Sequence, residues 1–210
     1  MSQVTSGLRS LLSFPAVYDL FQEALGDARL RSHLVREFIR PFPGCRILDI
    51  GCGTAKMLRH LPPDAAYSGF DLSAEYIRSA RLRYGRRATF VHAGVEEATA
   101  GDMAGGGEPY DIAIAFGVLH HLDDGAARLL FEGARRALKP SGRLITLDGT
   151  RVPGQGALSR YLVSKDRGRN VREPEGYACL GREVFPGVEV TVLDDALRIP
   201  YHHAILVCRP

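Results

Sequence analysis

Cysteine is scarce in this sequence, lysine scarcer still, and no apolar run approaches the ~18 residues that a membrane span requires. The four cysteines (Cys45, Cys52, Cys179 and Cys208) are too few and too scattered for a disulfide framework, and no CxxC pair announces a zinc site. No metal is expected, and a reducing cytoplasm is the default setting. The opening residues, MSQVTSGLRSLLSFPAVYDLF, lack a basic region followed by an unbroken apolar stretch, so no secretory signal is expected. There is no internal repeat and no long low-complexity tract. What remains is 210 residues, 45% hydrophobic and 24% charged, which fits one soluble globular domain with a sizeable core.

The net charge is only +3, and of the basic residues just Lys56, Lys139 and Lys165 are lysines. Two basic groups stand out. Arg78, Arg81, Arg83, Arg86 and Arg87 fit the exposed face and C-terminal end of a helix, where positive charge suits the dipole. Arg151, Arg160, Lys165, Arg167, Arg169 and Arg172 form the second, with Asp166 the only acid from 151 to 172. Neither has the interleaved aromatics of a nucleic-acid-binding run.

Short β-branched runs alternate with helical patterns, which predicts an α/β domain with a parallel sheet. The expected strands are Arg46–Ile50, Tyr67–Phe70, Thr89–His92, Ile112–Phe116, Arg143–Leu147, Glu189–Leu193 and Ala204–Cys208. Helices are expected at Lys56–His60, Ala74–Tyr84 and Gly125–Leu138, the last stopped by a Lys139-Pro140-Ser141-Gly142 turn. Residues 1–44 read as an N-terminal helical cap, with Leu30, Leu34, Val35 and Phe38 on one face and Pro41-Phe42-Pro43-Gly44 closing it. Residues 45–148 form the core and 188–210 the closing strands. Residues 149–187 read as an inserted lid, with a Gly/Pro turn at 152–156 and helices starting at Ala157 and Pro174.

The sharpest signal is Ile47-Leu48-Asp49-Ile50-Gly51-Cys52-Gly53-Thr54-Ala55, a buried strand entering a glycine loop. Gly51 and Gly53 let the backbone approach a ligand closely. Asp71, 22 residues after Asp49, is expected at the tip of the second strand, where a carboxylate grips ribose hydroxyls. A dinucleotide fingerprint would need glycine where Lys56 stands, and no P-loop pattern is present. The acid ahead of the glycines suits a cationic or amine-bearing ligand.

As a set these motifs resemble the class I S-adenosylmethionine (SAM)-dependent methyltransferases. Ile47–Ala55 resembles their motif I, with Ala55 in place of its third glycine, and Gly69-Phe70-Asp71-Leu72-Ser73 their second-strand motif. Pro109 to Leu122, through Phe116-Gly117-Val118-Leu119-His120-His121, is similar to their fourth strand and following loop. Leu138-Lys139-Pro140-Ser141-Gly142-Arg143-Leu144 resembles the approach to their fifth strand. The resemblance implies a Rossmann-like, seven-stranded, mostly parallel sheet ordered 3-2-1-4-5-7-6 with the last strand antiparallel. It further implies that Asp49, Gly51, Cys52 and Gly53 border the methionine moiety of SAM, that Asp71 binds the ribose and that Leu72 packs on the adenine. Phe116 and Val118 would flank the sulfonium. Gly94 stands where many members carry an acid for the adenine amino group, so backbone at Val95 or the Glu96 side chain is expected to substitute.

Cys52 reads as a small loop residue, and His202 and His203 as hairpin residues. His121 or His120 is the candidate general base, required if the acceptor is an alcohol. Tyr18, in Ala16-Val17-Tyr18-Asp19-Leu20-Phe21, reads either as packing or, by resemblance, as part of a helix closing over SAM. Arg151, Arg167 and Arg169 are candidate substrate contacts, since an arginine fork fits carboxylate or phosphate. The expected function is methyl transfer from SAM to a small molecule, with acidic acceptors suited to the Arg-rich lid. The alternatives are a protein or RNA acceptor, a catalytically silent scaffold that binds a partner and, more distantly, a nicotinamide dehydrogenase.

Overall fold

The computed structural model describes residues 27–100, 107–164, 168–194 and 199–210. Tyr18 and the 165–167 stretch, with Lys165, Asp166 and Arg167, lie outside the described residues. Helix α1 (Asp27–Leu34) continues into a π-turn (Val35–Ile39) before strand β1 (Arg46–Ile50). A single 3₁₀ turn (Lys56–Arg59) leads to β2 (Ala66–Asp71), α2 (Ala74–Tyr84), β3 (Ala88–His92) and α3 (Val95–Ala100). There follow β4 (Tyr110–Phe116), a 3₁₀ turn (Leu119–His121), α4 (Asp124–Ala137) and β5 (Leu138–Gly149). The insertion carries α5 (Ala157–Ser164) and α6 (Pro174–Arg182), and β6 (Gly187–Leu193) and β7 (His203–Arg209) close the sheet.

The strand order is β3-β2-β1-β4-β5-β7-β6, parallel except for β7, which runs antiparallel to both its neighbours. All seven expected strands are present. Period-two alternation sends one set of side chains to each face. Leu48, Ile50, Ala113, Ala115, Leu144 and Leu206 face a core shared with α4 and α6. Ile47, Ile112, Ile114, Ile145 and Ile205 face the other, where α1, the first 3₁₀ turn and α2 pack.

Local chemistry sets the helix ends. Ser73 Oγ accepts from Tyr76 N at the start of α2, and Asp123 Oδ1 accepts from Ala126 N at the start of α4. Along α4 a stripe of Ala127, Leu130, Phe131, Ala134 and Ala137 is buried. Three expectations need correction. No turn separates α4 from β5: Leu138 already pairs with Tyr110, and a bulge before the Ile112–Arg143 pair absorbs Lys139–Gly142. The N-terminal stripe changes phase at the π-turn, so Ile39 is buried where Phe38 was expected and Phe38 is only partly so. The first basic group is not purely an exposed face, because Arg87 donates to the carbonyls of Leu58, Leu61 and Pro62.

Arg172 ties the insertion to the core. Its guanidinium donates to the carbonyls of Leu119, Leu122 and Asn170 and to Asp124 Oδ1 at 2.7 Å, and it lies over the Tyr177 ring. Tyr177 in turn donates to Gly149 O. This arginine is therefore structural rather than a free cation. A lysine offers a point charge in place of a planar five-donor fork. Arg172→Lys is expected to cost about 2–4 kcal/mol by stranding partly buried carbonyls. That corresponds to a drop in Tm of roughly 5–12 °C for a chain of this size, and thermal denaturation of the variant checks it.

Candidate active site

At the carboxyl end of β1 the chain leaves the sheet through the glycine loop. Gly51 N and Cys52 N both donate to Phe70 O, at 2.9 and 3.0 Å, so the loop is moored to β2. The two glycines answer different demands. Gly51 has φ +73° and a Cβ there would lie 2.5 Å from Val118 Cγ2; Gly53 has φ +54° with open space around it. Ala55, at the position of the third motif glycine, also adopts a left-handed conformation, φ 58°. A β-carbon there costs roughly 1–2 kcal/mol. The Cys52 side chain turns inward from the loop. Its Sγ lies 2.9 Å from where a Cβ on Gly69 would stand, and it is buried in the core.

Two carboxylates flank this loop. Asp71, at the tip of β2, accepts from Gly53 N (2.9 Å) through Oδ2 and from Ser73 N (2.8 Å) through Oδ1, so it holds the loop and starts the next helix. Burial pushes its pKa up, opposed by those two N–H groups. Asp49 is buried at 3% exposure, opposite Gly69 on β2 and Ile114 on β4. Tyr67 donates a short hydrogen bond to its Oδ2. Burial drives the Asp49 carboxyl up to about 7, with the Tyr67 bond the largest opposing influence. Leu72, just beyond Asp71, is 51% exposed and forms an apolar platform at the edge.

The fourth strand supplies the other wall. Phe116 and Val118 lie at its end with Gly117 between them at φ +72°. His120 is 8% exposed, and its Nδ1 lies 2.8 Å from Asp148 Oδ1, on the end of β5; the same oxygen accepts from His120 N. Burial raises the Asp148 pKa and the His120 contacts oppose this. His121 packs beside His120, ring centroids 4.1 Å apart. The insertion covers His120. Asn170 N donates to His120 O, and a Cβ on Gly168 would meet the imidazole Cδ2 at 2.1 Å. Next to it a cavity of about 340 Å³ is lined by Glu96, His121, Leu122, Asp123, Ala126, Arg169 and Asn170.

Most of the residues singled out in the sequence thus converge on one edge of the sheet. Gly51, Gly53, Asp71, Leu72, Phe116 and Val118 stand at the ends of β1, β2 and β4, and Glu96, His121 and Arg169 meet at the cavity. Val95 does not expose its side chain there, because it belongs to the core. Arg151 is exposed and outside the cavity lining. His202 is not a plain hairpin residue: its Nδ1 lies 3.1 Å from the buried Ser159 Oγ of α5. Sequence reasoning missed Tyr67 and Asp148. An acid closing a buried strand was a readable sign for Asp148, whereas Tyr67 had no local signal. Among the described residues no group of three His, Cys, Asp or Glu could hold a metal, and no helix is long and apolar enough to cross a membrane.

Residues 48–144 match the family described as "Methyltransferase domain". That stretch, from β1 into β5, is similar to a methyltransferase domain and supports the resemblance to the class I SAM-dependent methyltransferases. The chain is 31% identical over 167 residues to the O-methyltransferase cnsE of Penicillium expansum, covering 74% of this chain and 59% of that protein. It is 31% identical over 122 residues to a ubiquinone biosynthesis O-methyltransferase of Cereibacter sphaeroides, covering 57% of this chain and 47% of that one. The chain therefore spans about half to three-fifths of the length of these curated relatives. Its fold is similar to that of the plantazolicin methyltransferase BamL, with a TM-score of 0.68 at 16% identity, covering 98% of this chain and 92% of that one.

The two loop glycines should respond differently to alanine. Gly51→Ala meets both Val118 and a left-handed φ, so a loss of about 2–4 kcal/mol is expected, against about 1 kcal/mol for Gly53→Ala in open space. Urea denaturation compares the two. Because the folded pKa of Asp49 lies above its unfolded value, its contribution to stability is fully present below pH ~4 and is lost as pH rises through about 7. Asp49→Asn should therefore raise the Tm of the ligand-free protein at pH 8, and by less at pH 5. A series of melts across that range tests the sign.

Proposed function

We propose that this protein transfers the methyl group of SAM to a hydroxyl of a small molecule, with His120 as general base and Asp148 as its positioning residue. The observation that carries the reading is the buried His120–Asp148 pair at the ends of β4 and β5, beside a glycine loop and ribose-type carboxylate suited to SAM. The residues fit that cofactor: open space over Gly53, two carboxylates flanking the loop, and an exposed leucine platform. Asp71 would hold the ribose hydroxyls, Leu72 would pack on the adenine, and Glu96 or the Val95 backbone would meet the adenine amino group. Gly51, Gly53, Phe116 and Val118 would enclose the methionine and sulfonium end, with Asp49 beneath.

The chemistry that the cofactor supplies when bound is a methyl group on a sulfonium, with a neutral thioether as leaving group. The chain's part is then positioning, exclusion of water and proton management. Asp148 fixes the proton of His120 on Nδ1, so the nitrogen that would take the proton of an attacking hydroxyl is Nε2. Gly168 and Asn170 cover that pair. Amines that are already neutral and ionised carboxylates need no such base, so the His–Asp pair favours an oxygen acceptor. An acidic acceptor finds Arg169 at the cavity, but also the carboxylates of Glu96 and Asp123, so an uncharged hydroxyl is the better fit. Macromolecular acceptors are disfavoured by the small cavity, which His121 lines and beside which His120 lies under Gly168 and Asn170. Four free cysteines, three of them buried, support a reducing, cytoplasmic setting.

Calorimetric titration with SAM and S-adenosylhomocysteine, with NAD(H) for comparison, should give micromolar-range binding of the adenosyl ligands alone, lost in Asp71→Ala. Screening phenolic, amine and carboxylate acceptors by mass spectrometry should then find turnover with hydroxyls. His120→Gln should lower kcat by about 10²–10⁴ with S-adenosylhomocysteine affinity nearly unchanged. Turnover of His120→Gln at the unmodified rate would remove the general-base assignment.

A further inference from the structure

Helix α5 is built the wrong way round for a helix held by apolar packing. Gln155, in the turn before it, and Ser159 and Val163, within it, are buried. The four-residue spacing puts Ser159 and Val163 on one face, above Gln155. Two of these three inward side chains are polar. The apolar Leu158 and Tyr161 are instead 59% and 57% exposed. The buried polar groups are answered from outside the insertion by His202, the residue before β7. Gln155 Nε2 donates to Ser159 Oγ at 2.7 Å, and that oxygen lies 3.1 Å from His202 Nδ1.

The directions of these bonds follow from one another. Ser159 Oγ accepts from Gln155, so its own proton goes to His202 Nδ1. That nitrogen is then an acceptor, the ring proton sits on Nε2, and Nε2 faces Asp194 Oδ1 at 3.4 Å. Serine, histidine and aspartate are the residue types of a nucleophilic triad, but Ser159 is 2% exposed and beyond the reach of a substrate carbon. The network joins two pieces of chain instead. The insertion is pinned at its base, where Thr150 N donates to His202 O, and Arg151 N and Thr150 Oγ1 donate to Arg172 O. Beyond that base it is attached at α5, on His202, and at 168–170, where the backbone covers His120.

We propose that Ser159 and His202, joined by Gln155, are positioning residues that latch a hinged insertion: closed, they hold α5 against the start of β7 and keep the 168–170 backbone over His120 while acceptor is bound, and released, they let acceptor and product exchange. The proposal rests on the reading of His120 as general base. Polar groups trade their partners for water when a helix lifts away, so α5 loses less on release than an apolar face would. The base at Thr150, Arg151 and Arg172 stays fixed and serves as the hinge. Acceptor affinity then scales with the fraction of molecules that are latched.

Hydrogen–deuterium exchange and acceptor kinetics on the full chain test the latch together. In Ser159→Ala and His202→Leu the amides of α5 and of Asn170 should exchange about tenfold faster, with the sheet unchanged. Alanine is the better helix former, so a purely local effect of Ser159→Ala would slow exchange in α5, whereas loss of the latch speeds it. Acceptor KM should rise about tenfold in both variants, with kcat at saturating acceptor and S-adenosylhomocysteine affinity within about twofold. His202→Asn places an amide oxygen where Nδ1 stands, and should restore both exchange and KM. Unchanged exchange in α5 in both disrupting variants would overturn the latch, whatever the acceptor. Faster exchange with an unmoved KM, or no rescue by His202→Asn, would overturn the positioning role while leaving His120 as base. An unmodified protein that methylates no hydroxyl would overturn the reading of His120 and the positioning role with it, while the exchange measurements still decide the latch.

Discussion

The sheet reverses its winding between β1 and β4, and the rest of the site depends on that reversal. The segments that follow β1 and β2 pack on one face, and α4, which follows β4, packs on the other. Neighbouring strands thus send their outgoing chains in opposite directions, and a crevice opens where those chains part. Gly51 and Val118 meet across it so closely that a β-carbon cannot be fitted between them. The crevice is narrow for that reason, and it is lined by backbone and small side chains at its floor.

Charge is distributed along this edge in a particular way. Asp49, Asp71 and Asp148 are all acids whose burial disfavours ionisation, yet each is held by different donors and so serves a different end. Backbone N–H groups on Asp71 lock a loop, Asp148 orients the His120 imidazole, and Asp49 receives the Tyr67 phenol. Three buried acids along one edge, each with its own donor, give that edge its electrostatic character.

The insertion divides its arginines between structure and site. Arg172 is consumed by three carbonyls and a carboxylate, Arg160 caps the Gln155 carbonyl, and Arg169 reaches the cavity. Gly168 shows the other constraint. The backbone crosses the face of His120 at a distance that excludes any side chain, so the covering of the histidine is made by main chain. An arginine count in sequence could not have made this division, because the same side chain serves either end according to which carbonyls lie within its reach.

Local information determined a great deal here. Each strand carries its own apolar pattern, the β1 loop its glycines, and the tip of β2 its acid, so the parallel sheet and the edge that carries the candidate site were legible from residues close together in the chain. The resemblance of four spaced motifs supplied the strand order. Other features exist only when distant segments meet. Tyr67 reaches Asp49 across 18 positions of sequence, His120 meets Asp148 across 28, and Arg143 on β5 secures the Ile39 and Arg40 carbonyls from more than a hundred positions away. A hydrogen bond depends on separations of about 3 Å, and no sequence pattern encodes a distance between strands whose register is decided by packing. The sequence by itself therefore determined which groups stand at the carboxyl edge. The tertiary structure decided which donor each acid receives, and with it which acid locks a loop, which pairs with an imidazole and which meets a phenol.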